Sequence, residues 1–356
     1  MVAANFSAGT SRPAENRLSA ARCALISGYG KSGSKRLLRL FDLSPETHCR
    51  NEPYNYANSP FRALRQPPGS WVACRGNDEA IASRWHEALQ WTASRIGDRD
   101  QLPPPRKSYD TFLAPHAWRL VGSRRSRKAL WFVTPDWRHE EWTPPAWLCD
   151  VVRMRAALTV LKLNLAPRLT TWVLRNDPNT RVVHLLRHPG AVLHSWCRRL
   201  LTVSDRETVT RDNHDRLRFV AEQEPDWRHR FGSIEKMSGE EAELWYWRYL
   251  NETICGVGAG LPSYCMVLDE DIAHAAPAAA GAAMRYCGLT VTQAMSDAMN
   301  NVAGEWRKQM CDWRHFLDKE HVALVERILA DSVLRQYWPP DAMVSGIDYK
   351  WMRLGL

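Results

Sequence analysis

The chain of 356 residues contains no Cys-x-x-Cys pair. Its nine cysteines lie at 23, 49, 74, 149, 197, 255, 265, 287 and 311, and an odd count cannot close into a complete set of intrachain disulfides. That pattern leaves little case for a structural zinc site and points to reduced thiols in a cytoplasm. Long apolar runs are missing too, since stretches such as Ala275 to Met284 fall far short of the roughly 20 residues that cross a bilayer. The first twenty residues mix charges with helix breakers and hold no apolar core of the kind a secretion signal needs. A cytoplasmic protein without a membrane span is expected. Acidic residues are the scarcer charge, 39 Asp plus Glu against 48 Lys plus Arg; the balance of +9 implies a negatively charged partner.

The residues that are present describe a globular protein, with 45% apolar and 24% charged side chains, which excludes disordered and coiled-coil classes. No repeat and no clear linker divides the chain. One domain over 22–340 is therefore expected, between a polar extension at 1–21 and a tail at 341–356. Tryptophan is abundant, with 17 copies. Trp85, Trp91, Trp245 and Trp247 fall in helical segments and read as packing, whereas Trp137, Trp142 and Trp147 sit in loops where a ring can stack on an aromatic or sugar acceptor.

The segment CALISGYG, from Cys23, reads as a short buried strand ended by glycines and followed by the helical pattern LLRLF. Further apolar runs occur at Ala129–Thr134, Val160–Leu165, Val182–Leu186 and Tyr264–Leu268. Helix-length segments lie around 78–94, 190–200, 240–255, 276–287 and 319–335. Strands apolar throughout and alternating with helices predict an α/β fold, a three-layer parallel sheet flanked by helices. Residues 96–128, with Pro103 to Pro105 and the basic run SRRSRK at 123–128, are expected to be irregular, as is the densely charged stretch 202–231.

Between the first strand and helix lies Gly28-Tyr-Gly30-Lys31-Ser32-Gly33-Ser34-Lys35. Successive backbone N–H groups at such a turn, together with the helix N-terminus, can cradle a phosphate, and Lys31 adds a mobile cation. A nucleoside triphosphate loop needs Gly-x-x-x-x-Gly-Lys-Ser/Thr. Here Ser34 and Lys35 are reversed after Gly33, and the other register would place its first glycine at Leu25, so a kinase or NTPase is disfavoured. The stretch Lys31-Ser32-Gly33-Ser34-Lys35 resembles the 5′-phosphosulfate loop of sulfotransferases that use 3′-phosphoadenosine 5′-phosphosulfate (PAPS), with Lys35 in place of the motif's last threonine. A second stretch, Arg187-His188-Pro189 followed by Ser195, resembles that family's 3′-phosphate motif, with His188 in place of the usual aspartate. An arginine leaving a strand and a serine two turns into the next helix can converge on one phosphate.

Weaker echoes of the family span about residues 22–340. They are Asn51-Glu52-Pro53, Leu268-Asp-Glu-Asp-Ile272, and either Trp313-Arg314 or Gly304-Glu-Trp-Arg307. The resemblance implies a P-loop-like sulfotransferase fold and no metal. It also implies in-line transfer of a sulfuryl group from PAPS to a hydroxyl or amine of a small-molecule or carbohydrate acceptor, leaving adenosine 3′,5′-bisphosphate. Gly30, Lys31, Ser32, Gly33, Ser34, Lys35, Arg187 and Ser195 would hold the nucleotide. Lys31 would stabilise charge on the leaving oxygen and Glu52 would act as base, with His48 and His116 as alternates. The competing class is a nucleic-acid binder, using 123–128 and Arg198-Arg199 beside Trp118 and Trp196. No recognisable nucleic-acid module accompanies those residues, and nucleic acid is disfavoured as a partner.

Overall fold

The computed structural model describes residues 23–56, 59–64, 78–94, 105–114, 116–117, 148–200, 206–309 and 313–338. Five parallel strands, β1 (Cys23–Gly28), β2 (Thr47–Asn51), β3 (Leu158–Asn164), β4 (Thr180–Leu186) and β5 (Tyr264–Leu268), form one sheet in the order β2-β3-β1-β4-β5. The chain crosses β1 between β3 and β4. The order therefore reverses around β1, where open α/β sheets bind their ligands at the carboxyl ends of the strands.

Alternation along each strand divides the apolar side chains between two cores. Leu25, Leu161, Leu163, Val182 and Leu186 face one core, and Ala24, Ile26, Val160, Val183 and Leu185 face the other. Among the described residues, the helices in chain order are α1 (Ser34–Phe41), α2 (Asp78–Ala93), α3 (Val151–Ala156), α4 (Pro167–Asn176), α5 (Pro189–Leu200), α6 (Arg206–Gln223), α7 (Pro225–Phe231), α8 (Gly239–Gly258), α9 (Asp269–Tyr286), α10 (Gln293–Gln309) and α11 (Lys319–Leu329). The first core is closed by α4, α5, α6 and α8 through residues such as Val173, Val192, Leu217 and Trp247. The second is closed by α1, α9 and α10 through Leu37, Phe41, Ile272, Met284 and Met299. Each fully buried aliphatic side chain contributes about 1.5–3 kcal/mol, so the two faces together hold the sheet rigid beneath whatever its edge carries. The fold class is α/β, a three-layer parallel sheet with helices on both faces.

Strands appear where the apolar runs at 160–165, 182–186 and 264–268 place them; the run Ala129–Thr134 lies outside the described residues. The sequence reading missed β2, whose Thr-His-Cys-Arg-Asn has no apolar run, yet Thr47, His48, Cys49 and Arg50 are all buried. Parallel pairing with β3 sets its register, from Thr47 opposite Leu158 to Asn51 opposite Lys162. The charged stretch 202–231 is corrected as well: residues 206–223 and 225–231 are helical. Among the described side chains of α6, only Asn213, Leu217, Val220 and Ala221 are buried, a stripe too narrow to stand out among its charges. Helix α9 starts at Asp269, ahead of the expected 276, because it kinks at Ala275 (φ −142°, ψ 56°) two residues before Pro277. Among the described residues no helix is long and apolar enough to cross a membrane.

Candidate functional site

Every candidate group that follows a strand sits at the same edge of the sheet, because parallel strands all end there. The loop after β1 carries Lys31, β2 runs into Glu52, β4 into Arg187 and β5 into Asp269. Lys31 and Gly33 take left-handed backbone angles (φ 67° and 87°), which turn the chain sharply into α1. A side chain at Gly33 would collide with the carboxylate of Asp269, so glycine is required there on two counts. Lys31 and Lys35 are exposed and Ser34 is buried. Ser32 is also buried, and its hydroxyl has no hydrogen-bond partner among the described residues. An orphaned buried hydroxyl beside the open N–H groups of a helix start is a strong acceptor or donor waiting for a polar ligand.

Arg187 joins the two motifs. Its Nη1 donates to the Lys31 carbonyl oxygen at 2.7 Å and lies 3.4 Å from Ser195 Oγ. Its Nε lies 3.2 Å from Asp269 Oδ2. The same carboxylate oxygen is 3.1 Å from Arg36 Nη2, and the Arg36 guanidinium covers the Trp306 ring at 5.3 Å. Arg187 and Ser195 thus converge across 3.4 Å. Ser195 Oγ also donates back to Ala191 O, keeping the hydroxyl on the arginine's side of α5.

His188 caps the helix that follows it. Its Nδ1 accepts the Gly190 N–H at 3.0 Å, the bond an aspartate would make at the start of α5. The ring is stacked on Trp313, with centroids 4.7 Å apart, and meets Trp338 edge-on at 5.1 Å. Burial, helped by Arg314 and Arg187, holds its pKa down to about 3, so the ring is neutral. Gly190 lies flat on the Trp313 ring, where a side chain would not fit. Both C-terminal tryptophan elements therefore touch the site, Trp313 through His188 and Trp306 through Arg36; the Arg307 side chain lies outside the described residues.

A second polar chain links the loop to Glu52. Ser34 Oγ donates to Asn164 Oδ1 at 2.9 Å, Asn164 Nδ2 donates to Glu52 Oε1 at 3.1 Å, and Lys162 Nζ meets that same oxygen at 2.6 Å. Glu52 itself has φ 46°. Burial pushes its carboxyl up, but the Lys162 ammonium and bonds from Lys162, Tyr54 and Asn55 outweigh burial and hold it below the ordinary range. Lys162 is in turn lowered, mainly by burial, against the pull of Glu52 and with the repulsion of Lys35.

His48 is buried within β2 and meets Tyr109 edge-on at 6.4 Å. The stretch that carries His116 is anchored at the opposite end of β2, where buried Lys107 bonds Asp42, Ser44 and Thr47, and the structure does not bring it to the loop. The basic run 123–128 and the tryptophans at 118, 137, 142 and 147 lie outside the described residues. Trp196 is buried in the first core.

Three solved structures similar to this chain are sulfotransferases. They are the sulfotransferase domain of the Synechococcus PCC 7002 olefin synthase (13% identity, 86% of this chain and 93% of that one, TM-score 0.38), a sulfotransferase from Mycobacterium tuberculosis H37Rv (15%, 88% and 77%, 0.39) and one from Alicyclobacillus acidocaldarius (13%, 88% and 98%, 0.33). Likenesses this distant carry no argument about the chain, whose fold rests on its own sheet topology. The sequence matches no protein-family model and no curated protein.

The residues that sequence reasoning left without a role are Lys162, Asn164, Arg36 and Asp269. Lys162 and Asn164 had a signal, being two polar residues two apart in an otherwise apolar strand. Glu270, next to Asp269, accepts the His188 N–H at 2.9 Å through Oε1, while its enclosed Oε2 has no partner among the described residues. Burial first, and then the charge of Asp269, raises its pKa from 4.5 to about 7. A folded value above the unfolded one means the native state holds the proton more tightly. The stability tied to this group is complete below about pH 4.5 and is lost as pH rises through about 7. Glu270→Gln keeps the acceptor for His188 and removes the charge. It should stabilise the protein at pH 8 by on the order of 2–3 kcal/mol, with the gain vanishing below about pH 5, as read from thermal melts at the two pH values.

Proposed function

We propose that the chain is a sulfotransferase that moves a sulfuryl group from PAPS to a hydroxyl, or an amine, of a small-molecule or carbohydrate acceptor in a cytoplasmic setting. The observation that carries this reading is the Arg187 bridge, in which one guanidinium spans the loop that resembles the phosphosulfate motif and the serine of the 3′-phosphate motif. The donor chemistry fits a nucleotide with phosphate at both ends. Ser32, Ser34, the Gly30–Lys35 backbone and Lys31 would hold the 5′ end, and Arg187 with Ser195 the 3′-phosphate.

PAPS supplies a sulfuryl group already activated by a phosphate leaving group. Lys31, exposed and left-handed at the turn, puts an ammonium where charge grows on that leaving group. Glu52 takes the acceptor's proton. Its low pKa is compatible with this, because an oxygen forming a bond to sulfur becomes strongly acidic before its proton leaves, and a weak base then suffices. The Ser34–Asn164–Glu52 chain fixes the carboxylate relative to the loop.

Titration calorimetry with adenosine 3′,5′-bisphosphate tests the reading. Micromolar binding is expected, with about 100-fold loss in Arg187→Ala and no salt-steep affinity for an oligonucleotide. Undetectable bisphosphate binding, or wild-type affinity in Arg187→Ala, would reject it.

A further inference from the structure

Asp269 is the first residue of α9 and is 2% exposed, yet three separate elements converge on it. Its Oδ2 lies 3.2 Å from Arg187 Nε and 3.1 Å from Arg36 Nη2. The Gly33 backbone packs directly against the carboxylate. Arg187 is restrained at two points of its planar fork: Nε stands 3.2 Å from the Asp269 carboxylate in an ion pair without hydrogen-bond alignment, and Nη1 donates to the Lys31 carbonyl 2.7 Å away. One hydrogen bond and one ion pair together restrict the plane of the rigid fork, and Nη2 has no partner among the described residues. Without the carboxylate the arginine would keep one anchor on a long, flexible stem, and the Arg36 and Arg187 charges would repel one another with nothing between them.

We infer that Asp269 is a positioning residue which presents the Arg187 fork to the 3′-phosphate, and so sets the preference of the site for adenine nucleotides that carry one. The inference rests on the reading above of Arg187 as a 3′-phosphate ligand. It is not what charge alone would give. Removing a negative carboxylate from beside two arginines should, by Coulomb's law, tighten the binding of any anion. Positioning predicts the opposite, and only for the 3′-phosphate.

The experiment compares dissociation constants of adenosine 3′,5′-bisphosphate and adenosine 5′-monophosphate in the wild type and in Asp269→Asn. Asp269→Asn is expected to weaken the bisphosphate by about 10-fold while leaving the monophosphate within about 2-fold, so the preference ratio falls about 10-fold. An unchanged ratio overturns the inference, whether both nucleotides bind as before, both weaken equally as a purely structural role would require, or both tighten. If Asp269→Asn fails to fold by thermal melt, Asp269→Ser, smaller and still polar, is read against the same two outcomes. A wild type that shows no preference for the bisphosphate refutes the Arg187 assignment itself, and this inference with it. A wild-type preference that survives in the variant refutes only the role of Asp269.

Discussion

Lys31→Ala is expected to lower turnover with PAPS by about 10²–10³-fold while the melting temperature stays within a degree or two. The two halves of that expectation come from one fact. Lys31 is exposed at a left-handed turn, so its side chain supports no core and its removal opens no cavity. Alanine at a left-handed position is strained no more than lysine is. On the proposed reading, what is lost is a charge beside the leaving group, and such a charge acts mainly in the transition state. The affinity for adenosine 3′,5′-bisphosphate should therefore fall far less than turnover. Steady-state kinetics with calorimetry on the same preparation make the comparison. Near-wild-type turnover would remove Lys31 from the chemistry, and an equal loss in affinity and turnover would make it a simple phosphate ligand.

How much of this was legible beforehand differs from element to element. The strand, glycine loop and helix from Cys23 to Phe41 were readable because the apolar run is pure and the glycines mark where the backbone leaves ordinary angles. Strands β3 and β4, buried on both faces, and the apolar edge strand β5 were readable for the same reason. Strand β2 was not, since its buried residues are Thr47, His48, Cys49 and Arg50, and its place is set by pairing with β3 rather than by its own hydropathy. That omission matters for the site, because β2 delivers Glu52 to Lys162 and Asn164. Helix α6 was hidden by its charges, which face solvent, as expected for an outer-layer helix.

The site divides along the same line. Arg187 and Ser195 are eight apart in sequence and their convergence follows from strand and helix geometry, so local spacing was enough. Asp269 is more than two hundred residues from Gly33, and nothing local to either reveals that the carboxylate occupies the space a side chain at 33 would need. His188 sits between these cases. The histidine at 188 was visible, but its state as a neutral cap depends on the Trp313 and Trp338 rings that pack against it and on its burial.

Glu52→Gln is expected to reduce turnover by about 10²-fold or more with bisphosphate affinity within about 3-fold. Glutamine matches glutamate in shape and keeps the acceptor for Asn164, so the left-handed backbone at 52 and the Ser34–Asn164 contact are preserved. The cost falls on Lys162, a side chain only 5% exposed that loses its counter-charge 2.6 Å away. Some loss of stability should therefore accompany the loss of rate. Lys162→Met separates the two, because it leaves the carboxylate in place and takes away the ammonium that holds its pKa down. In the wild type the Glu52 ion pair adds stability above the unfolded carboxylate's pKa of 4.5, and that stability is lost as pH falls through the lower folded value. The acid limb of kcat/KM is accordingly expected below pH 4.5 in the wild type. In Lys162→Met, only the bonds from Tyr54 and Asn55 still oppose burial, and the limb moves up. A wild-type rate in Glu52→Gln would discard Glu52 as the base. An acid limb that ignores Lys162 would mean that the group titrating in kcat/KM is not Glu52.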